Sequence, residues 1–161
     1  MKAPAFDYVR AASVGEAVAA FRACAGEARY LAGGQSLLVA LNLRLSAPDL
    51  LIDLGCIDAL RGIELGDSEV RVGALTCHAD VLSSALIARH VPLLSLAAPF
   101  VAHPAIRNKG TLGGSLALAD PASEFPAVAL ALGARMEITD GETTRQVAAD
   151  DYFLDLYETA I

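Results

Sequence analysis

"NKGTLGGSLALADPASEF", residues 108–125, sets Gly113 and Gly114 side by side between Thr111 and Ser115. Upstream, "LAGGQSLLVAL", residues 31–41, carries a second pair, Gly33 and Gly34, followed by Gln35 and Ser36. Two Gly-Gly turns with adjacent hydroxyls therefore stand 80 residues apart in one small chain. Glycine tolerates positive φ, so such a pair can turn successive backbone N–H groups toward one side. That concavity attracts anions, and a following helix adds unpaired N–H groups. A glycine pair alone reads as a simple turn. Two copies with similar endings point further, to one diphosphate gripped at two places. The known phosphate fingerprints are absent: Lys109 precedes its glycines instead of following them, and no GxGxxG occurs. A P-loop NTPase and a Rossmann dinucleotide site are both excluded.

Around these turns the chain reads as alternating short strands and helices. "FDYVRAAS" is a strand. Ser13 starts a helix, with Glu16 as capping-box partner. "ARYLA" is a strand that enters the first turn, and "SLLVALNLRL" is a helix beginning near Ser36 and broken by Pro48. "LLIDL" is a buried strand of the continuously apolar kind. "LRGIELGDSEVRVGAL" reads as a hairpin, and Thr76 as the N-cap of a helix over "CHADVLSSALI". Pro92 opens another helix at a first-turn position. A helix is expected over 122–132, then a hairpin about Asp140-Gly141. Two lobes are expected, residues 1–57 and 58–161.

Composition bounds the function. The chain has 161 residues, 55% hydrophobic and 19% charged, with a net charge of −7. It is therefore a folded chain with no basic stripe, and neither nucleic acid nor an anionic membrane surface is an expected partner. The apolar runs are too short to span a bilayer, and no secretory signal is expected at the N-terminus. Cys24, Cys56 and Cys77 are odd in number and widely spaced, which suits reduced thiols in the cytoplasm and no metal or iron–sulfur site. Cys77-His78 resembles a nucleophile–base pair, but neighbours on a helix do not face each other. It reads as a surface pair at a helix start. Asp120 reads as a helix-entry cap, and Asp150, Asp151, Asp155 and Glu158 as a solvated acidic face.

Taken in order and at this separation, "LAGGQSLL", "IDLGCIDALRGIEL", "VRVGALTCHADV" and "IRNKGTLGGSLALADPASEFPAVALALGA" resemble the FAD-binding medium subunit of molybdenum hydroxylases. That family includes the flavoproteins of carbon monoxide dehydrogenase and xanthine dehydrogenase. The resemblance covers nearly all of residues 4–155. It implies an α+β fold, a two-lobed FAD-binding domain of the p-cresol methylhydroxylase type. It implies a first FAD loop of Ala32, Gly33, Gly34, Gln35 and Ser36. A second would comprise Thr111, Leu112, Gly113, Gly114 and Ser115, with Arg107 and Asn108 leading into it and both loops closing on the pyrophosphate. Glu124 stands where the family has an acid, usually Asp, that bonds the nucleotide, and Ser115 replaces a common Asn. The family's C-terminal part is expected to be missing beyond Ile161, with self-association following from the surface it would cover. The implied activity is electron transfer through FAD, from a 2Fe-2S small subunit that serves a molybdopterin-binding large subunit, on to an acceptor. No residue of this chain is expected to be a catalytic acid or base. A non-redox scaffold and a stand-alone flavoenzyme are the alternative readings.

Overall fold

A computed structural model describes residues 2–161. Its N-terminal part is a three-stranded parallel sheet of β1 (Asp7–Arg10), β2 (Ala28–Leu31) and β3 (Leu50–Asp53), in the order β1-β3-β2. Asp7 and Ala28 both pair with Leu50, so β3 is the central strand. That position explains its unbroken apolar run: Leu51 and Ile52 are buried on opposite faces. Between β1 and β2 runs α1 (Val14–Ala23). Ser13 caps it, its hydroxyl accepting the Glu16 N–H at 3.1 Å. The Glu16 carboxylate reaches one residue beyond the usual capping box and accepts the Ala12 N–H at 2.8 Å. Helix α2 (Leu37–Leu43) joins β2 to β3. It stops at Arg44, which adopts a left-handed conformation with φ of 59° and donates its N–H back to Leu41. The expected break at Pro48 comes four residues too late. Ala11, Ala17, Ala28 and Ile52 form the core here, joined by Ile57 and Leu75 from further along the chain.

The remainder is helical with antiparallel hairpins. β4 (Ile63–Leu65) and β5 (Val70–Val72) form the hairpin read about "GDSE". Thr76 does not cap the next helix. Its hydroxyl instead accepts the Gly62 N–H at 3.0 Å and donates to the Gly62 carbonyl at 2.9 Å, pinning the hairpin base. Cys77 takes the N-cap position of α3 (His78–Ser83), and the Asp80 carboxylate accepts its N–H. Ser84 ends α3 and caps α4 (Ala85–His90), so one expected helix is two. Pro92 opens α5 (Pro92–Ala97), which runs on into a 3-10 turn at Ala98–Phe100. Then follow α6 (Pro104–Arg107), α7 (Leu112–Leu118) and α8 (Glu124–Ala131). Val81, Ile87, Leu94, Ala98, Val101, Phe125 and Val128 pack as their common core.

β6 (Arg135–Thr139) and β7 (Thr144–Ala148) form a hairpin closed by a four-residue turn, in which Asp140 Oδ1 accepts the N–H groups of Glu142 and Thr143. The tip of this hairpin rests on α1. A Cβ at Gly141 would lie 3.3 Å from Val18, and Arg22 pairs with Glu142 at 3.0 Å. A short α9 (Ala149–Tyr152) and the strands β8 (Phe153–Asp155) and β9 (Glu158–Thr159) close the chain. Among the described residues, no helix is long and apolar enough to cross a membrane.

Candidate functional site

The first glycine turn leaves the sheet at the carboxyl end of β2, the edge where parallel sheets hold their ligands. The last rung is the Leu54 N–H on the Leu31 carbonyl. Beyond it Gly34 turns to φ 71°, a left-handed value that a side chain would strain. Among the described residues, no protein acceptor takes the N–H of Gly33, Gly34, Gln35 or Ser36. The Gln35 side chain donates to the Gly33 carbonyl at 3.1 Å and stiffens the turn. Ser36 makes no capping bond to α2. The turn thus offers four consecutive free donors.

The second turn is built differently. Thr111 caps α7, its hydroxyl accepting the Gly114 N–H at 3.1 Å. The Leu112 N–H goes to the Thr76 carbonyl, Gly113 to Ala74 at 2.9 Å and Ser115 to Thr111. Every N–H from 112 to 115 is therefore already spent within the protein. The expectation that Gly113 and Gly114 present theirs to a phosphate is corrected here. Gly113 is needed for close approach: a Cβ would lie 2.6 Å from that of Ala74 and 2.7 Å from the Ala74 Cα. With the His78 N–H on the Gly110 carbonyl, the turn is stitched to the segment 74–78.

The two turns meet. A Cβ on Gly33 would collide with the Lys109 carbonyl, and one on Gly114 would touch Ala32. Beside this contact lies a cavity of about 280 Å³. Ala32 and Gly33 line it from the first turn, Asn108, Lys109 and Thr111 from the second, with Arg61 and Cys77 between them. Gly34, Gln35, Ser36, Leu112, Gly113, Gly114, Ser115 and Glu124 lie outside this lining. Arg61 is occupied, donating to the carbonyls of Leu75 and Gly55. Lys109 is exposed and makes no ion pair among the described residues. No carboxylate lines the cavity. The free Gly33 amide, with three more free donors following it in the chain, an unpaired ammonium and no opposing negative charge in the lining make a cradle that a diphosphate fits.

Two residues stand elsewhere than expected. His78 is not a surface residue: it is 5% exposed, its ring 5.0 Å from that of Phe125 and its edge against Gly110. Burial, then the charge of Arg107, pushes its pKa down to about 4. Its Nδ1 is buried without a partner. His78 is a neutral strut behind the second turn. The three-residue spacing to Val81 on the same helix face was the available signal. Ser123 was missed altogether. Its hydroxyl lies 2.9 Å from that of Ser115, carried there by the turn at Asp120, whose Oδ1 accepts the Ala122 N–H. Glu124 follows, half-buried, as the first residue of α8.

The chain matches the family described as FAD binding domain in molybdopterin dehydrogenase over residues 4–161. It is 42% identical over its whole length to the 6-hydroxypseudooxynicotine dehydrogenase complex subunit alpha of Paenarthrobacter nicotinovorans, covering 54% of that protein. It is 40% identical over 98% of its length to the carbon monoxide dehydrogenase medium chain of Hydrogenophaga pseudoflava, covering 55% of it. Among solved structures, carbon monoxide dehydrogenase from H. pseudoflava superposes with a TM-score of 0.97 at 41% identity, over 100% of this chain and 56% of that one. Quinoline 2-oxidoreductase from Pseudomonas putida 86 gives 0.96 at 40% identity, with the same coverage. The chain spans about half the length of the curated relatives it matches.

Proposed function

The chain belongs to the family of FAD-binding domains of molybdopterin dehydrogenases, and from that premise we propose that it is the flavin-holding part of an electron-transfer subunit in a molybdenum hydroxylase-type oxidoreductase. FAD is the cofactor of this family, and when bound it carries the redox chemistry. What the chain's own residues do is bind and orient. Gly33, Gly34, Gln35 and Ser36 donate their free N–H groups to the diphosphate, with Ala32 beside them, and Lys109 adds the compensating charge. Thr111, Leu112, Gly113, Gly114 and Ser115 form the rigid wall that holds Lys109 and Asn108 in place. Glu124 and Ser123 accept from and donate to the nucleotide hydroxyls. No side chain serves as general acid or base. Electrons enter from a 2Fe-2S small subunit, which draws them from a molybdopterin-binding large subunit, and leave to a separate acceptor. Relatives named medium subunit and FAD-binding subunit support such an assembly. The division into lobes at residues 57 and 58 and a cytoplasmic location belong to the same proposal.

The observation that carries this reading is the run of four unpaired N–H groups beside an acid-free cavity with an unpaired lysine. The test is to denature the purified protein and chromatograph what it releases. One FAD per chain is expected. FMN in stoichiometric amount, or a protein that neither carries nor takes up FAD, overturns the proposal.

A further inference from the structure

The stretch "IDLGCIDALRGI", residues 52–63, contributes Gly55 and Arg61 to the lining of the cavity. Arg61 bridges two segments there. Its Nη2 donates to the Gly55 carbonyl at 2.9 Å, just past the end of β3. Its Nη1 donates to the Leu75 carbonyl at 3.3 Å, in the segment to which the second glycine turn is stitched. Gly55 is itself fixed, its N–H donating to Asp53 Oδ1 at 2.7 Å. The other Asp53 oxygen accepts from Tyr8 and from Arg10, whose charge offsets that of the carboxylate. Backbone carbonyls hold the Arg61 guanidinium without neutralising it. A second N–H on each Nη and the one on Nε make no hydrogen bond within the protein. Among the described residues, the ion-pair partner of Arg61 is Asp58. That carboxylate lies 3.8 Å from Nε, beyond hydrogen-bonding distance, and its side chain is 96% exposed, where water screens the pair.

The cavity lining thus holds two cations, Arg61 and Lys109, and no carboxylate. The diphosphate of a dinucleotide carries one negative charge on each phosphate. We propose that Arg61 is a cofactor-binding residue, whose guanidinium matches one of these charges while Lys109 matches the other, and that Asp53 positions it through Gly55. A planar fork already pinned by two carbonyls has little freedom left to lose when an anion arrives, so its remaining donors meet the phosphate preorganised. The glycine turns supply N–H dipoles and no net charge, and Arg61 makes good that difference from a third segment of the chain. This role rests on the cofactor reading of the cavity and adds to it a residue from outside both turns.

The test is a titration of the flavin-free protein with FAD at several salt concentrations, with thermal unfolding measured alongside. Arg61→Gln keeps an amide donor for the carbonyls and removes the charge. Its FAD affinity should fall about tenfold or more, with a salt dependence as shallow as that of Lys109→Met. Arg61→Lys keeps the charge and loses the fork, and should bind within about threefold of the parent at the parent's salt dependence. Asp58→Asn, at an exposed site whose loss the fold tolerates, frees Arg61 from its screened partner and should bind FAD about twofold more tightly. Equal losses in Arg61→Gln and Arg61→Lys, following their melting temperatures and leaving the salt dependence unchanged, make Arg61 a structural clamp and overturn the proposal. Parent affinity in Arg61→Gln overturns it too, as does an Asp58→Asn protein that binds no more tightly than the parent. In each of these cases weakened binding by Lys109→Met leaves the cofactor reading standing, whereas a parent protein that takes up no FAD overturns both.

Discussion

The two glycine turns look alike as sequence and differ in what their backbones do. In the first, Gly33, Gly34, Gln35 and Ser36 keep four N–H groups free, and Gly34 takes a left-handed conformation. In the second, no N–H from Leu112 to Ser115 is free, and neither glycine has positive φ. One turn presents donors, whereas the other is a wedge. Gly113 lets α7 press onto Ala74, and Gly114 gives its N–H to the Thr111 cap. Similar letters thus leave backbone donors free in one place and serve close packing in the other. The deciding variable is whether tertiary structure has already consumed the donors.

The sharpest break of the comparison is Gly113→Ala. The new methyl group meets the Ala74 backbone, so the apoprotein should lose about 3–4 kcal/mol, including the Gly113 hydrogen bond. In thermal unfolding that is a fall of roughly 10 °C. An unchanged melting temperature with lost flavin binding would restore the donor role to the second turn. Next in size is the strut. His78 is neutral when folded, with a pKa near 4 against 6.5 for a free imidazole. The unfolded chain binds the proton first as pH falls, so this contribution is complete above pH 6.5 and lost by pH 4. Urea unfolding at pH 7 and pH 4 should show roughly 2–3 kcal/mol less acid destabilisation in His78→Phe than in the parent. Equal acid sensitivity would mean that the buried ring does not titrate in this window. The smallest contrast compares the two hydroxyls. Thr111→Ala removes a helix cap and should cost about 1 kcal/mol of apoprotein stability. Ser36→Ala removes no capping bond, so its loss should appear only as weaker flavin binding in a titration. Equal melting shifts for the two would erase the distinction between wedge and donor.

Much of the scaffold is legible in residue order alone. The apolar run of β3, the Ser13 cap, Pro92 at a helix start and the hairpin about Asp140 are local signals, and each lies in the structure where those signals put it. The failures share one cause. Thr76 has the side chain of a cap, but it is occupied by Gly62, fourteen residues away. His78 follows a cysteine that lines the cavity, yet its own ring turns inward to Phe125. Gly113 reads as a donor until Ala74 is seen beneath it. In each case a partner distant in sequence settles what a locally ambiguous residue does. The free donors of the first turn escape that ambiguity, because the segment 109–110 that packs against Gly33 takes none of their N–H groups.

The hairpin tip resting on α1 sets the order in which this chain can be completed. Arg22 and Glu142 lie 120 residues apart in sequence, so the contact closes a long loop and must wait until Glu142 has been synthesised. Until then Val18 lacks its contact with Gly141, and the parallel sheet, itself made of non-local pairings, must be held by its own core. Such long-range closure is slow, and it lengthens the time during which a nascent chain leaves apolar surface open to wrong neighbours.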